Sequence, residues 1–520
     1  MTARRDEGPP TNGPAPELVE SGFALENADA PFLHRGLNLA DMAHVLDLSR
    51  RGLVPDAARR ALLELLLTAY ATPAEEFPYE PELGEPYNSR EAWFVSRLGD
   101  VAGWLHAGRP RREAVRIALR LHVRRQIAEL VAEAVRFGRD AVTRAEEHVE
   151  TVMPDQTYLQ HAQPSTFAHY LLSFVYSTVR DGHRLLGELD WVDTSPGGAG
   201  CVNGTRLLDD RAFVAEALGF EGVIEHTRDA MWQVDGLISV LAVAASLVSN
   251  LSKLAEDLEI WSSSEFDYVD LDHGFTRASV LMPQKRNPYA LSIIRGASGV
   301  LIGRLSGFLA VTKSPSARSD NLIYAYGEVP RALDLTARIT RLAAGVVRTL
   351  RVNAPRLAEE VRDGYSQATD LAEHLVQTCD VDYRTAYLVV GRAVRAASRD
   401  GVPGVAITGE MLDRAAMEHT GHDLGLSRQD LTEVLDPWRI VLSRDAQGGA
   451  APPAVNRMTV ALRAELDGLD IRARDRLLAF DHAESALLDA VHRVTGDEAE
   501  RSSTIGTGPT AAPAPGMENT

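Results

Sequence analysis

A chain of 520 residues carrying a formal net charge of -19 is long enough to bury a large core. Its acidity argues against nucleic acid or an anionic membrane surface as the main partner, because both call for clustered positive charge. Cys201 and Cys379 are the only cysteines and lack metal-ligand spacing, so a reducing, cytoplasmic setting is expected, with neither a disulfide framework nor a zinc site.

Taken from the N-terminus, residues 1–30 are expected to form a disordered arm, since "MTARRDEGPPTNGPAPELVE" is rich in Pro, Gly and acids and has no apolar core of a secretory signal. Residues 31–111 read as an N-terminal helical domain. From Arg112 to about Glu150, apolar Val115, Leu119, Val123, Ile127, Leu130 and Ala134 recur at steps of three and four, the period of an amphipathic helix. At about 1.5 Å per residue such a helix would reach roughly 55 Å. Similar segments near Phe167–Leu189, Arg228–Trp261, Pro288–Val311 and Glu328–Val352 complete a central long-helix bundle over residues 112–362. Strand-like alternation is nearly absent, so the fold class is all-α. The apolar run Gly236–Val248, 13 residues long, is too short to span a bilayer, and no membrane segment is expected. Beyond the bundle, residues 363–470 read as a small helical domain, 471–495 as one more charged helix, and 496–520 as a low-complexity, disordered tail.

Between the helices lie connectors longer and odder than a simple turn requires, which is where function tends to reside. One of them ends in "ASVLMPQKRNP", residues 278–288. Only three of the 54 basic residues are lysines, and one of these, Lys285, sits in this loop beside Arg286. Lysine offers a compact, rotatable point charge where arginine offers a planar fork, so a lysine kept against such a bias suggests a geometric demand.

The loop resembles the signature G-S-S-x-M-P-x-K-x-N-P of the fumarase/aspartase superfamily, from Ala278 to Pro288, departing at the first and third positions. A second connector, from Thr157 to Pro164, resembles the pattern T-H-L-Q-x-A-Q-P. Upstream, "LGDVAGWLHAGRPRRE" resembles a stretch of the argininosuccinate lyase branch that ends H-T-G-R-S-R-N-D, and "GYSQATDLAEHLV" and "LSRDAQGGAAPPAV" are similar to that branch's C-terminal domain. The resemblance covers roughly residues 35–470.

It implies a homotetramer with a shared multi-helix core, no cofactor, and active sites each assembled from three chains. The implied chemistry is β-elimination of fumarate from a small succinyl adduct, a dicarboxylate substrate, usually with breakage of a C–N bond. Carried over position by position, Ser279 would be the base on a mobile lid, and Lys285 and Asn287 would hold substrate carboxylate oxygens. Arg111 and Thr157 match substrate-contact positions and Gln160 a supporting donor, although the run "RPRRE" around Arg111 reads equally as a solvated charge cluster.

Several positions depart from the family pattern. The family pairs a His after the Thr with a Glu five residues after the signature Asn; here these are Tyr158 and Ser292. A phenol has an unperturbed pKa of about 10, so either the leaving group needs little protonation or Tyr158 itself supplies the proton. Where argininosuccinate lyases have a His, an Asn, and then a Tyr, a Gln and a Lys to grip the amino-acid end, this sequence has Tyr87, Arg112, Arg318, Ile323 and Tyr326. Loss of the Gln and Lys removes polar anchors that a buried, charged arginine moiety requires. The expectation is therefore a lyase releasing fumarate from an N-substituted aspartate other than argininosuccinate. Argininosuccinate itself, elimination of a good nitrogen leaving group from a substituted succinate, and a catalytically silent structural homologue are the alternatives.

Overall fold

The structure, a computed structural model, describes residues 13–317 and 323–504, with side chains as far as residue 496. The N-terminal region contributes α1 (Ala30–Arg50), α2 (Asp56–Ala71) and α3 (Pro86–Leu98). The bundle consists of α4 (Arg111–Glu146), α5 (Phe167–Val192), α6 (Asp235–Trp261), α7 (Tyr289–Val311) and α8 (Glu328–Thr349). Long apolar periodicity explains all five, and the all-α class holds.

Extended Pro110 leads into α4, the axis of the fold. This helix packs against α1, α5, α8 and the last helix, while α6 packs against α5, α7 and α8. Its buried positions cover more than one stripe, as a helix enclosed on several sides requires. Three of them are arginines at steps of four, Arg116, Arg120 and Arg124, and the latter two spend their charge locally. Arg120 donates to the carbonyls of Trp191 and Val192, and Arg124 bonds Asp193 at 2.7 Å and the carbonyls of Leu218 and Gly219.

Beyond the bundle the structure differs from expectation. Residues 471–495 are not a separate helix: α9 (Pro452–Thr504) runs unbroken for 53 residues, so a boundary at residue 470 falls inside it. Its Leu462, Leu466, Leu469, Ala473 and Phe480 belong to the main core, and Leu487 and Val491 to the N-terminal core. Gly138 and Gly182 make room for it, since a Cβ there would lie 2.5 Å from Leu466 and 2.8 Å from Leu469. At the other end, residues 16–27 form short helical turns where a disordered arm was expected, tied down by Asn27 to the Gly84 carbonyl and by Tyr324 to the Ser21 carbonyl. Residues 1–12 and 505–520, the rest of the expected arm and tail, lie outside the described residues. The helices between residues 368 and 434 have a separate core around Leu371, Leu375, Val389, Val390 and Leu412.

The connector at residues 153–166, where no strand was expected, folds into an antiparallel hairpin of β1 (Val152–Thr157) and β2 (Gln160–Thr166) with a bulge at Asp155/Gln156. Its two-residue tip is Tyr158 and Leu159, with φ of 54° and 59°. Both angles suit the tight primed turn that a two-residue hairpin needs.

By length and composition α6 and α7 are each apolar enough to cross a membrane, a test that a buried core helix also passes. Within the fold α6 is packed on three neighbours, whereas α7 exposes Ile293, Val300, Ile302 and Leu309 beside an open stripe of Gly296, Gly299, Gly303 and Gly307. Arg295 and Arg304 interrupt the same helix and pair with Glu259 and Glu328.

Candidate active site

The signature loop organises itself through its own backbone. Arg277–Ala278 pairs antiparallel with Arg286–Asn287, and the Asn287 side chain donates to the Arg277 carbonyl at 3.0 Å. This short ladder pinches the excursion from Ser279 to Lys285 shut at its base. Within it, Lys285 N–H donates to the Met282 carbonyl at 3.0 Å. The Ser279 hydroxyl oxygen accepts from the backbone N–H groups of Met282 at 2.9 Å and Leu281 at 3.3 Å. Two amide donors aimed at one hydroxyl oxygen favour its ionised form, which is what a serine base requires. Arg286 is held by Asp270 at 2.5 Å, and Arg351 also reaches Asp270, so that arginine is anchored. Its neighbour Lys285 is exposed, and among the described residues no carboxylate pairs with it. Val280, Leu281 and Met282 stand in solvent at the crest of the loop.

At the hairpin tip, Tyr158 is 99% exposed, flanked by Thr157 and Gln160, which oppose each other in the ladder. His161 is instead a structural tie at the hairpin's flank, 3.5 Å from Tyr268 Oη and 4.0 Å from Glu360. Burial pulls its imidazole below the ordinary value while Glu360 opposes the shift.

Position 292 keeps a carboxylate in a new form. The Ser292 hydroxyl donates to Glu259 Oε1 on α6 at 3.1 Å, and Arg295 holds the other oxygen of Glu259 at 2.6 Å. Glu259 was not foreseen from the sequence, because it lies 33 residues before Ser292 and only the pairing of α6 with α7 joins them.

A third group gathers where α4 begins. Arg111 is not loosely solvated: it pairs with Glu85 at 2.6 Å and donates to Asn88 Oδ1 at 2.7 Å. Next to it, Glu113 is buried and accepts from the Gly198 and Gly200 amides at 2.7 Å each, clamping the glycine-rich connector. Burial pushes its carboxyl up to about 7 against the pull of those amides and of Arg109. Arg112, Ile323 and Tyr326 line one cavity of about 70 Å³, together with Arg116 and the Met231–Trp232 pair. Tyr87 does not reach it. Its hydroxyl donates to Asp41 at 2.9 Å and accepts from Arg109 at 2.8 Å within a buried network that also contains Arg90, so Tyr87 is a framework residue. Arg318 lies outside the described residues.

The single chain thus collects the site residues in three places: the loop (Ser279, Lys285, Asn287), the hairpin tip (Thr157, Tyr158, Gln160) and the head of α4. Among the described residues no hydrogen bond or ion pair joins one place to another.

Comparisons with known proteins identify the family. The family model described as Lyase matches residues 85–303, and that described as Argininosuccinate lyase C-terminal matches residues 365–442. An argininosuccinate lyase of Methanothrix thermoacetophila is 35% identical over 463 residues, spanning 88% of this chain and 92% of its own length. That of Methanoculleus marisnigri is 35% identical over 474 residues, covering 91% and 94%. Among solved structures, EDDS lyase in complex with formate superposes with a TM-score of 0.84 at 28% identity, covering 94% of this chain and 98% of its own. An EDDS lyase variant with bound fumarate gives the same values. The chain therefore belongs to the argininosuccinate lyase branch of the fumarase/aspartase superfamily and is a carbon–nitrogen lyase.

Proposed function

We propose that this enzyme releases fumarate from an N-substituted aspartate whose amine portion is not arginine. The observation that carries the reading is the Ser279 hydroxyl, cradled by two backbone amides in a loop whose lysine has no carboxylate partner among the described residues. Ser279 takes the proton from the carbon beside the distal carboxylate, and the electron pair expels nitrogen from the neighbouring carbon. The resulting aci-carboxylate is doubly charged, and Lys285 and Asn287 hold its oxygens, with Thr157, Gln160 and Arg111 at the other carboxylate. Tyr158 faces the departing nitrogen and supplies its proton, or the amine leaves already protonated. Ser292, fixed by Glu259, supports that end, and Arg318 is a further contact there.

These groups meet across subunits of a homotetramer. That reading is supported by α7, whose exposed apolar and glycine-rich face has the length and shape for close helix packing and is capped by ion-paired arginines. Free Cys201 and Cys379 suit work in the cytoplasm.

The test is the ultraviolet absorbance of fumarate appearing on addition of N-substituted aspartates. Ser279→Ala is expected to abolish it while leaving thermal unfolding unchanged; undiminished turnover in that variant removes the mechanism. Identity to curated argininosuccinate lyases favours a second reading, turnover of argininosuccinate itself, and the same assay with that compound decides between them.

A further inference from the structure

The cavity at the head of α4 holds a charge that no carboxylate among the described residues pairs with. Arg116 is only 9% exposed, yet among the described residues no carboxylate lies within ion-pair distance of it. Its guanidinium stacks 4.2 Å from the centre of the Tyr326 ring, and the buried Tyr326 hydroxyl has that same guanidinium beside it. Three carboxylates line the cavity: Asp29 is engaged with Arg331 at 2.7 Å, Glu85 with Arg111 at 2.6 Å, and Glu26 is not without a partner either. Farther along the same face of α4, Arg120 adds to the positive field and cannot relieve it.

A buried, unpaired cation is costly, and such groups are retained where a ligand completes them. Arg112 also lines the cavity beside these carboxylates, and most of the remaining wall is hydrocarbon and aromatic, from Leu33, Val115, Met231, Trp232 and Pro330. A ligand that satisfies both features has an apolar body ending in an anion, and a guanidinium fork matches a carboxylate best.

We propose that Arg116 and the Tyr326 hydroxyl form a carboxylate subsite for the leaving amine, so that the substrate is an aspartate N-linked to a hydrocarbon amine bearing a terminal carboxylate. The inference rests on the lyase reading above, with Ile323 and Tyr326 at positions that the family resemblance assigns to the amine end. It also explains what replaced the lost grips: the anchor moved from the loop after the signature helix onto α4, where an alkyl or aryl spacer separates it from the reacting nitrogen.

The test compares N-(carboxybenzyl)aspartate with N-benzylaspartate, which differ only in the carboxylate. In the wild-type enzyme, kcat/KM for fumarate release should favour the carboxylated compound by roughly 100-fold, and in Arg116→Leu that ratio should fall toward one. Tyr326→Phe, which keeps the stacked ring, should lower the ratio less. Equal rates in the wild type, or an unaltered ratio in Arg116→Leu, overturns the subsite. A binding arm stands apart from turnover: the amine products alone, carboxybenzylamine and benzylamine, are added to full-length protein in thermal unfolding. A rise with the carboxylated amine that Arg116→Leu abolishes supports the subsite, and no rise overturns it. Failure of the lyase reading shows separately, as no fumarate release by the wild-type enzyme from either compound.

Discussion

The signature loop and the α4 cavity are built in opposite ways. The loop is a contiguous string that arranges Ser279 and Lys285 through its own backbone and stands mostly in solvent. The cavity is assembled from side chains brought by several separate segments, and of its polar members Asp29, Glu85 and Arg116 are buried. Chemistry common to a family can therefore travel in one segment with little dependence on its surroundings, whereas selectivity is distributed and can be rewritten one wall residue at a time.

The contrast can be broken from the loop side first. Lys285→Arg preserves charge but not shape, and kcat/KM for fumarate release is expected to drop by about 100-fold, the usual cost of a misplaced donor at a developing oxyanion. Activity within a few-fold of wild type would mean the loop tolerates rearrangement as the cavity does. On the cavity side, Glu113→Gln sets an amide donor against one of the two glycine amides. It should cost on the order of 2 kcal/mol of stability, read as a lower midpoint of thermal unfolding. Its pH signature has a definite sign. With the carboxyl pushed up to about 7 in the folded chain, the folded state binds more protons than the unfolded state above the ordinary glutamate range. Wild-type stability is then fullest below that range and declines as pH rises toward about 7; Glu113→Gln should lose this slope in unfolding scans between about pH 4.5 and pH 8. The smallest effect is reserved for the seam between the two designs. Glu259→Gln should change kcat by only several-fold, read in the same fumarate-release assay.

Much of this was legible in the sequence where a single segment carries the signal. Helical periodicity marked out the five bundle helices, and the string from Ala278 to Pro288 marked the loop. α9 was cut short because its exposed half carries so many charges that its period is hard to see, and because its burial depends on glycines over 270 residues away, at 138 and 182. The hairpin was missed because Pro154, Gln156, Gln163 and Pro164 supply none of the alternation of a half-buried strand. Arg116 was hidden for a different reason: an arginine on an amphipathic helix reads as solvated, and only packing against Tyr326 shows that it is enclosed. Glu259 was hidden by distance along the chain.

The unbroken course of α9 has a mechanical consequence. At about 1.5 Å per residue it is a splint of roughly 80 Å, riveted at one end into the bundle by Leu462 and Leu466 and at the other into the N-terminal core by Leu487 and Val491. The head of α4, with Arg111, Arg112 and Arg116, cannot swing against the bundle without bending that splint. Freedom to move therefore falls to the parts it does not brace, among them the slender, solvent-borne arc that carries Ser279.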